Sequence, residues 1–364
     1  MFKINTKILL LCFITVISFL QAARTSMEFT SAKTYARIEK NLVKAAEFGL
    51  LALDKEPNNS YIPYFLAKEV FMMQKKQKEA GEMFLEALRR PDKKLEKKFK
   101  IGKIKYDTVH KAIILYADEF YNAAIDYFNK QEIDETKNMI SICLKLDEKH
   151  IRSYILLSEI ESKSDSISKA IEYLDKALEY STVERQIFDM NLQKATYLRK
   201  GGEFEKAKNI LLELASQEGF ENDIILKRSL FFLYIDMNKI EIAIPYGIDL
   251  LYKMENDPNI KMSLISECAF NLAILYRNKG ATIYNEIIKY FSDTEISNEK
   301  TNNQLIDSET ALEYYQNAKN YFQLSLDYDD EGSETTKQFK KEMRKIMKKM
   351  KNEIIPSLES LLKE

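Results

Sequence analysis

Apolar and polar residues between positions 151 and 182 alternate with a helical period. Apolar residues recur there at three- and four-residue steps in two segments, and the polar run SKSDS separates the segments. Each segment therefore predicts an amphipathic helix with one buried stripe. Two helices this short cannot bury their stripes alone, so the pattern also predicts neighbouring pairs of the same shape.

The second of these helices has a small residue, a bulky residue four positions later and a small residue three positions after that. This triad is Ala170, Leu174 and Ala177, and it recurs as Ala80, Phe84 and Ala87 and as Thr136, Ile140 and Cys143. A further run, at 202–207, reads GEFEKA. On these residues the chain resembles a tetratricopeptide-repeat (TPR) protein, in which hairpins of ~34 residues repeat.

The resemblance implies an all-α fold, an α-solenoid of stacked helical hairpins that winds into a right-handed superhelix. It covers residues 28–330. A final helix at 334–364 would cap the array, because Phe339, Met343 and Met350 recur on one face and lysines cover the rest. The alternative for this last helix is a membrane-surface helix.

Two repeats fit the pattern less well. Residues 28–57 show no turn signal between their two helices, so a single long helix is the alternative. In the repeat at 223–256, Pro245 and Gly247 weaken a helix interior, so we expect its second helix to be kinked or to start late. Gly280 marks the turn after the first helix of the last repeat.

Two segments interrupt the array. Residues 92–107 hold seven lysines in sixteen positions, which indicates a solvated linker or helix end, or a basic patch for an acidic partner or lipid headgroups. Residues 281–308 are predicted to be a polar insertion between the helices of the last repeat. Alternatively, 281–291 is a separate second helix and 309–328 belongs to an eighth repeat. In both cases residues 292–309 are expected to form a loop.

The first 23 residues differ in kind from the rest. Lys3 and Lys7 precede the apolar run Ile8–Leu20, and small residues ending at Ala23 offer a cleavage site. These three parts predict a secretory signal peptide over residues 1–23, and hence a periplasmic protein. The alternative is an uncleaved membrane anchor, although the run is shorter than the ~20 residues usual for a span.

The sequence carries no catalytic signature, such as HExxH, GxSxG, CxxC or a phosphate-binding glycine loop. His110 and His150 stand alone, so each is predicted to be a surface or helix-cap residue. Cys143 and Cys268 lie in apolar stripes and are predicted to be buried, with an intermolecular bridge as the alternative. The net charge of −1 does not favour nucleic acid. We therefore predict no enzyme, no cofactor, no metal and no nucleic-acid partner.

In TPR proteins the first helices line a concave groove, and the matching positions give the candidate partner-binding residues. They are apolar in the N-terminal half and basic in the C-terminal half. The apolar set is Ile62, Phe65, Met72, Met73, Tyr121, Ile125 and Phe128, and the basic set is Arg152, Lys163, Arg199, Lys200, Arg228 and Arg277. Methionine and aromatic side chains adapt to varied partners, and arginine pairs with carboxylates. The sets predict a partner with an apolar and an acidic segment, unless they only pack the superhelix or remain solvated.

These features lead to the hypothesis of a non-catalytic protein–protein interaction scaffold of the bacterial cell envelope, in a periplasmic assembly such as the flagellar motor. Its partners would be one or more envelope proteins bound in the concave groove. Membrane contact is expected only through an uncleaved signal segment or the basic C-terminal helix. The alternative is a solute-binding or accessory subunit of an envelope transporter or enzyme. The sequence does not indicate an oligomeric state.

Overall fold

The computed structural model describes residues 25–220, 222–291, 298–328 and 334–361, so the predicted signal segment lies outside the described residues. The chain divides into two compact units, Met1–Met190 and Asn191–Glu364. Within the described residues all regular structure is helical, apart from one two-stranded β-sheet. The predicted all-α fold of helical hairpins is thereby confirmed.

In the described part of unit 1, most helices pair into hairpins, each with a first and a second helix that pack together. The described residues begin with α1 (Met27–Arg37) and α2 (Leu42–Lys55), then α3 (Tyr61–Phe65, continued by a π-helical segment at Leu66–Phe71) and α4 (Gln77–Arg89). Next come β1 (Lys94–Ile101), β2 (Ile104–Thr108), α5 (Val109–Ile113) and a 3-10 turn at Ile114–Tyr116. Two further hairpins follow, α6 (Ala117–Asn129) with α7 (Ile133–Leu146) and α8 (Ile151–Lys163) with α9 (Ile167–Tyr180). The first repeat is therefore two helices, and the alternative of one long helix is wrong.

Helix α10 (Glu184–Lys200) begins at the end of unit 1 and continues into unit 2. The described part of unit 2 continues with α11 (Phe204–Ala215), α12 (Ile224–Asp236), α13 (Ile240–Glu255), α14 (Met262–Tyr290) and α15 (Asn298–Tyr328). It ends with α16 (Glu334–Lys349, continued by a π-helical segment at Met350–Ile354) and α17 (Ile355–Leu361). Its hairpins are α12 with α13 and α14 with α15, and α16 packs against α15.

Most of the described turns between consecutive helices share one feature. A residue with positive φ occupies six of them, and these residues are Lys40, Lys75, Gln131, Asp165, Gly202 and Asn238. In five of the turns the next N–H donates to the carbonyl five residues earlier, as Lys76 does to Phe71 at 2.9 Å. This is the Schellman motif that ends many helices. Only one of the six residues is a glycine, which is why the turn of the first repeat gave no sequence signal.

Replacing Gln131 by glycine is expected to stabilise the protein. Gln131 has a φ of 64°, and left-handed backbone costs an ordinary residue roughly 1–2 kcal/mol, whereas glycine adds only about 0.5–1 kcal/mol of unfolded-state entropy. The free energy of unfolding, measured by urea titration, should therefore rise by roughly 0.5–1 kcal/mol. The control Asn129→Gly lies in the last turn of α6 and should give no gain. A lower stability for Gln131→Gly would contradict the turn geometry.

The small-bulky-small triads lie in the core as predicted. Ala170, Leu174 and Ala177 are fully buried on α9. In α13 the bulky position is taken by Gly247, where a Cβ would lie 2.4 Å from the Phe231 ring and 2.9 Å from Leu272. The glycine therefore makes room for bulky side chains of two first helices. Of the two alternatives predicted for α13, the late start is wrong, because the helix begins at Ile240 and contains Pro245 in its interior. The kink at this helix stays a prediction.

The segment at 281–308 lengthens both helices of the last hairpin rather than separating them. Helix α14 spans 29 residues and α15 spans 31 residues. The predicted loop is wrong for residues 298–309, while 292–297 lie outside the described residues. The predictions of a separate helix at 281–291 and of a turn at Gly280 are also wrong. Gly280 lies inside α14, and residues 281–290 form the end of the same helix. The length of α15 was not predicted because two of its buried residues, Thr301 and Ser308, are small and polar.

Residues 92–107 form a β-hairpin, so the prediction of a linker or helix end is wrong. Phe99 pairs with Tyr106 across the strands, and their rings stack with centroids 5.1 Å apart. Gly102 has a φ of 56° at the first central position of the two-residue turn, a site where glycine is favoured. The side chain of Leu95 is buried in the unit 1 core. Alternation of apolar residues and lysines on both sides of the turn was the strand signal, and the high lysine content obscured it.

The C-terminal helix packs onto unit 2. Met343, Met350 and Ile354 are buried in the core of that unit, and Phe339 packs against it. The Phe339 ring lies 5.6 Å from the ring of Phe322 on α15. Because this apolar stripe is already covered by α15, the alternative of a membrane-surface helix is wrong for the described residues.

Candidate partner-binding surface

Helices α6 and α8, which are consecutive first helices of unit 1, bring five of the predicted groove residues together. Tyr121, Ile125 and Phe128 follow one another at helical spacing on α6, and all three are half-buried. The Arg152 guanidinium lies 4.5 Å from the centroid of the Tyr121 ring. The Lys163 ammonium lies 4.6 Å from the centroid of the Phe128 ring. We call these five residues the α6–α8 surface.

The end of the α6–α8 surface near Arg152 is fixed by a hydrogen-bond network. His150 caps α8, because its Nδ1 accepts the Ser153 N–H at 3.3 Å. Its Nε2–H then donates to Asp118 Oδ1 at 3.1 Å, and the Arg152 guanidinium donates to the same oxygen. The hydrogen bond from His150, followed by that from Arg152, holds the pKa of Asp118 below its ordinary value. The predicted cap role of His150 is confirmed.

His110 also has a cap role. Its Nε2 lies 3.0 Å from both the Ala87 and the Arg90 carbonyl oxygens at the end of α4. The ring therefore donates its N–H to carbonyls at the end of the helix, where the Ala87 oxygen also accepts the Arg90 N–H at 3.3 Å. Its position in the chain, directly after the β-hairpin, fixes the start of α5 against α4.

Two of the predicted groove residues lie in the core instead. Ile62 and Phe65 on α3 are fully buried, so the prediction that they line a groove is wrong. The reason is that α1 precedes α3 in the stack, and the Phe29 ring of α1 lies 5.4 Å from that of Phe65. Of the other two apolar candidates on this hairpin, Met72 is half-buried and Met73 is 69% exposed. Only Met73 offers a large open side chain there.

Above Phe65 lies an ion-pair cluster that the sequence did not predict. Arg37 donates to both Glu69 carboxylate oxygens at 2.7 Å and to Glu96 at 2.9 Å. Lys33 donates to Glu96 at 2.9 Å. Because Glu96 belongs to β1, the cluster fastens the β-hairpin to α1. No repeat spacing connects a residue of an inserted strand with α1, so this contact had no periodic signal.

Acidification is expected to loosen the β-hairpin from α1. Burial raises the pKa of Glu96, but hydrogen bonds from Lys33 and Arg37 outweigh it and hold the pKa below its ordinary value of 4.5. The stabilisation is therefore complete above pH 4.5 and is lost as the pH falls below it. Hydrogen exchange of β1, corrected for intrinsic rates, should accelerate in that range. Glu96→Gln should remove this pH dependence, and a wild-type exchange rate that stays constant would contradict the role of Glu96.

The basic candidates of unit 2 are paired with carboxylates of the same chain. Arg199 lies 3.2 Å from Asp236, Arg228 Nε lies 3.0 Å from Glu267, and Arg277 lies 3.3 Å from Glu342. Lys200 is exposed at the end of α10. The arginines therefore stabilise contacts between helices as well as facing solvent. The predicted acidic segment of a partner would have to compete with these carboxylates.

Phe232 contacts two of these arginines in unit 2. Its ring centroid lies 5.6 Å from the Arg199 guanidinium and 4.9 Å from that of Arg228. A small cavity of about 120 Å³ lies between these side chains and Glu267. Phe232 and these carboxylates were not predicted, because the prediction rested on basic residues alone. In unit 1 the spacing did give a signal for such a pair, since Arg152 and Asp118 are 34 residues apart, which is one repeat.

Cys143 and Cys268 are buried free thiols, as predicted. Burial raises the pKa of Cys143 to about 11 and that of Cys268 to about 12. Because the thiolate is the reactive form, neither should react with a disulfide reagent such as DTNB at neutral pH while the protein is folded. Both should react at once in denaturant. Rapid labelling of Cys143 or Cys268 in the folded chain, located by peptide mapping, would contradict the burial of these side chains.

Among the residues that the structure describes, no group of three or more side chains suited to metal binding occurs. In the same part of the chain, no helix combines the length and apolar character needed to span a membrane.

No protein-family model matches the chain, and no curated protein matches it. Among solved structures, the chain is similar to the C-terminal part of a TPR repeat-containing protein from Cytophaga hutchinsonii, with 12% identity, a TM-score of 0.41 and coverage of 85% of this chain and 98% of that one. It is similar to a tetratricopeptide repeat protein from Parabacteroides merdae, with 19% identity, a TM-score of 0.35 and coverage of 88% and 100%. It is also similar to YrrB, a TPR protein with an unusual peptide-binding site, with 16% identity, a TM-score of 0.37 and coverage of 61% and 99%. At these values we transfer no activity or partner to this chain.

Proposed function

We propose that the protein is a non-catalytic interaction scaffold that binds a partner protein through the α6–α8 surface. The observation that supports it is the pair of aromatic rings on α6, Tyr121 and Phe128, each held under a cation of α8. Aromatic and arginine side chains carry much of the binding energy at protein interfaces. These rings are already fixed by their neighbours, so a partner would bury them at little cost in side-chain entropy.

The charge balance of this surface indicates the chemistry of the partner. Arg152 is already paired with Asp118, and Lys163 lies 2.8 Å from Glu159 on its own helix. The cations therefore attract a further carboxylate only weakly. We infer that the partner segment is mainly apolar and aromatic. Of the apolar and acidic segments expected from the sequence, only the apolar one is kept for this surface.

The proposed location is the periplasm, in a cell-envelope assembly such as the flagellar motor. Its support is the basic, apolar and small-residue order of residues 1–23. Fractionation of the source cells, with N-terminal sequencing of the recovered chain, tests this directly. We expect a periplasmic chain that begins close to residue 24. A cytoplasmic chain that still carries residues 1–23 would contradict it.

Affinity capture of the chain from its own cells after crosslinking tests the scaffold role. The surface variant combines Ile125→Ser with Lys163→Glu. The control combines Ile133→Ser with Lys169→Glu, the same changes at exposed positions on the second helices of the same two hairpins. We expect wild type and control to recover the same envelope proteins, and the surface variant to recover at least about tenfold less, the loss expected for a central interface residue. Equal recovery by all three would contradict the proposal.

A second candidate is a ligand-binding accessory subunit, for which the site would be a groove of about 420 Å³ between α7, α8 and α9. Tyr154, Tyr173 and Lys176 line it, together with Glu161, which is buried and lies 2.7 Å from Lys137. Native mass spectrometry of the purified chain distinguishes this candidate. A retained small molecule that is lost on Tyr173→Ala would favour it over the scaffold.

A further inference from the structure

The β-hairpin presents an unusual concentration of uncompensated positive charge. Six of its exposed lysines have no carboxylate within ion-pair distance among the described residues. They are Lys93, Lys94, Lys97, Lys98, Lys100 and Lys103. The acidic residues of the segment contact other groups instead of these six lysines. Asp92 accepts the His110 N–H at 3.0 Å, and Asp107 lies 3.1 Å from Lys111.

The turn of the hairpin adds an apolar tip to this charge. Ile101 and Ile104 are cross-strand partners on either side of Gly102. They are 53% and 61% exposed, although both are large aliphatic residues. Lys100, Lys103 and Lys105 stand directly beside them in the chain. The tip therefore combines two apolar side chains with a ring of cations.

The tip is also held in place. The stacked rings of Phe99 and Tyr106 stiffen the strands behind it. The base is anchored by the Lys93 N–H, which donates to Ser60 Oγ at 3.1 Å, and by the ion pairs of Glu96 with α1. A fixed tip loses little conformational entropy when it binds, so its exposed groups are suited to a docking role.

We propose that the β-hairpin at 92–107 docks the protein onto an anionic phospholipid surface. The lysines attract the headgroups, and Ile101 and Ile104 enter the interface between headgroups and acyl chains. Peripheral membrane binding sums these two contributions, since buried apolar area and attraction to anionic lipid both add to the affinity. The α6–α8 surface plays no part in this contact, so the proposal is independent of the scaffold role.

A lipid surface fits these observations better than an acidic protein does. A stable protein interface needs roughly 800 Å² on each partner, which a two-residue tip on a narrow hairpin does not supply by itself. A bilayer has no such requirement, because headgroups rearrange around each lysine and the apolar interior lies directly beneath. The two exposed isoleucines favour the lipid surface, since an acidic protein bound by charge would contact only the lysines.

Vesicle sedimentation of the full chain tests the proposal. The probes are vesicles of phosphatidylcholine alone and vesicles with equal parts of phosphatidylcholine and phosphatidylglycerol. We expect wild type to bind the anionic vesicles, with binding that weakens as salt screens the lysines. The triple variant Lys97→Gln, Lys98→Gln, Lys100→Gln and the double variant Ile101→Ser, Ile104→Ser should each lower the partition coefficient at least about tenfold.

A matched control removes the same charge elsewhere. Lys348, Lys349 and Lys351 are exposed on the C-terminal helix, and their change to glutamine should leave binding as in wild type. Residues 1–24 are common to all variants, so each variant is compared with wild type on the same vesicles. Hairpin variants that bind the anionic vesicles as well as wild type does, or a control that loses binding as the hairpin variants do, would overturn the proposal. Binding that survives Ile101→Ser, Ile104→Ser and is displaced by poly-glutamate would also overturn it, in favour of an acidic partner.

Discussion

Replacing Ala170 by glutamate is expected to lower the free energy of unfolding by roughly 3–5 kcal/mol, among the largest effects of any single change. Ala170 is fully buried on α9, at the small position where α8 and α9 pack. A carboxylate there must either lose its hydration without a partner or push the two helices apart. Urea titration followed by far-ultraviolet circular dichroism measures the loss.

The matched control for this change is Ser168→Glu, two positions earlier on the exposed side of α9. A glutamate in the first turn of a helix is favourable, so the control should be neutral or slightly stabilising. If Ala170→Glu were as stable as this control, the assignment of the small-bulky-small triad to the core would be wrong.

Replacing Phe84 by alanine is expected to cost roughly 3–5 kcal/mol, because it leaves a cavity in the centre of unit 1. Phe84 is fully buried, stacks on Tyr116 at 4.6 Å and meets the Phe120 ring edge-on at 6.1 Å. The same residues hold α6, so the α6–α8 surface should loosen as well. Urea titration gives the stability, and hydrogen exchange of α6 gives the local effect.

The control for the cavity is Met73→Ala, since Met73 is mostly exposed and its truncation leaves no void. Its effect should stay within about 0.5 kcal/mol of wild type, as for most surface changes. Unchanged exchange of α6 in Phe84→Ala, despite a lowered global stability, would show that Phe120 does not depend on this aromatic cluster.

The sequence predicted the repeating part of the fold because the second helices carry their own period. The triad at Ala170, Leu174 and Ala177 requires small residues for close packing, and that requirement is visible in the composition. The inter-helix turns were harder to locate, because Lys40, Lys75 and Gln131 adopt positive φ without being glycine. Tertiary packing of the flanking helices outweighs their local preference.

The candidate surface was predicted only in part, because helical position does not determine exposure. Ile62 and Phe65 are on a first helix like Tyr121 and Phe128, yet both lie in the core of unit 1, where the Phe29 ring of α1 packs on Phe65. Likewise, no periodicity could show that Glu96 from an inserted strand reaches Arg37. Contacts made by an insertion depend on where the folded array places it, and the repeat pattern does not contain that information.

Site-specific photo-crosslinking in the source cells tests the role of the α6–α8 surface most directly. A photoreactive phenylalanine analogue replaces Ile125 on α6 in one strain and Ile133 on α7 in another. Both positions accept a large side chain, since Ile125 is half-buried and Ile133 is exposed. We predict a covalent adduct with one partner protein from position 125 and none with that protein from position 133. Adducts from position 133 alone, or the same partner from both positions, would contradict binding through this surface.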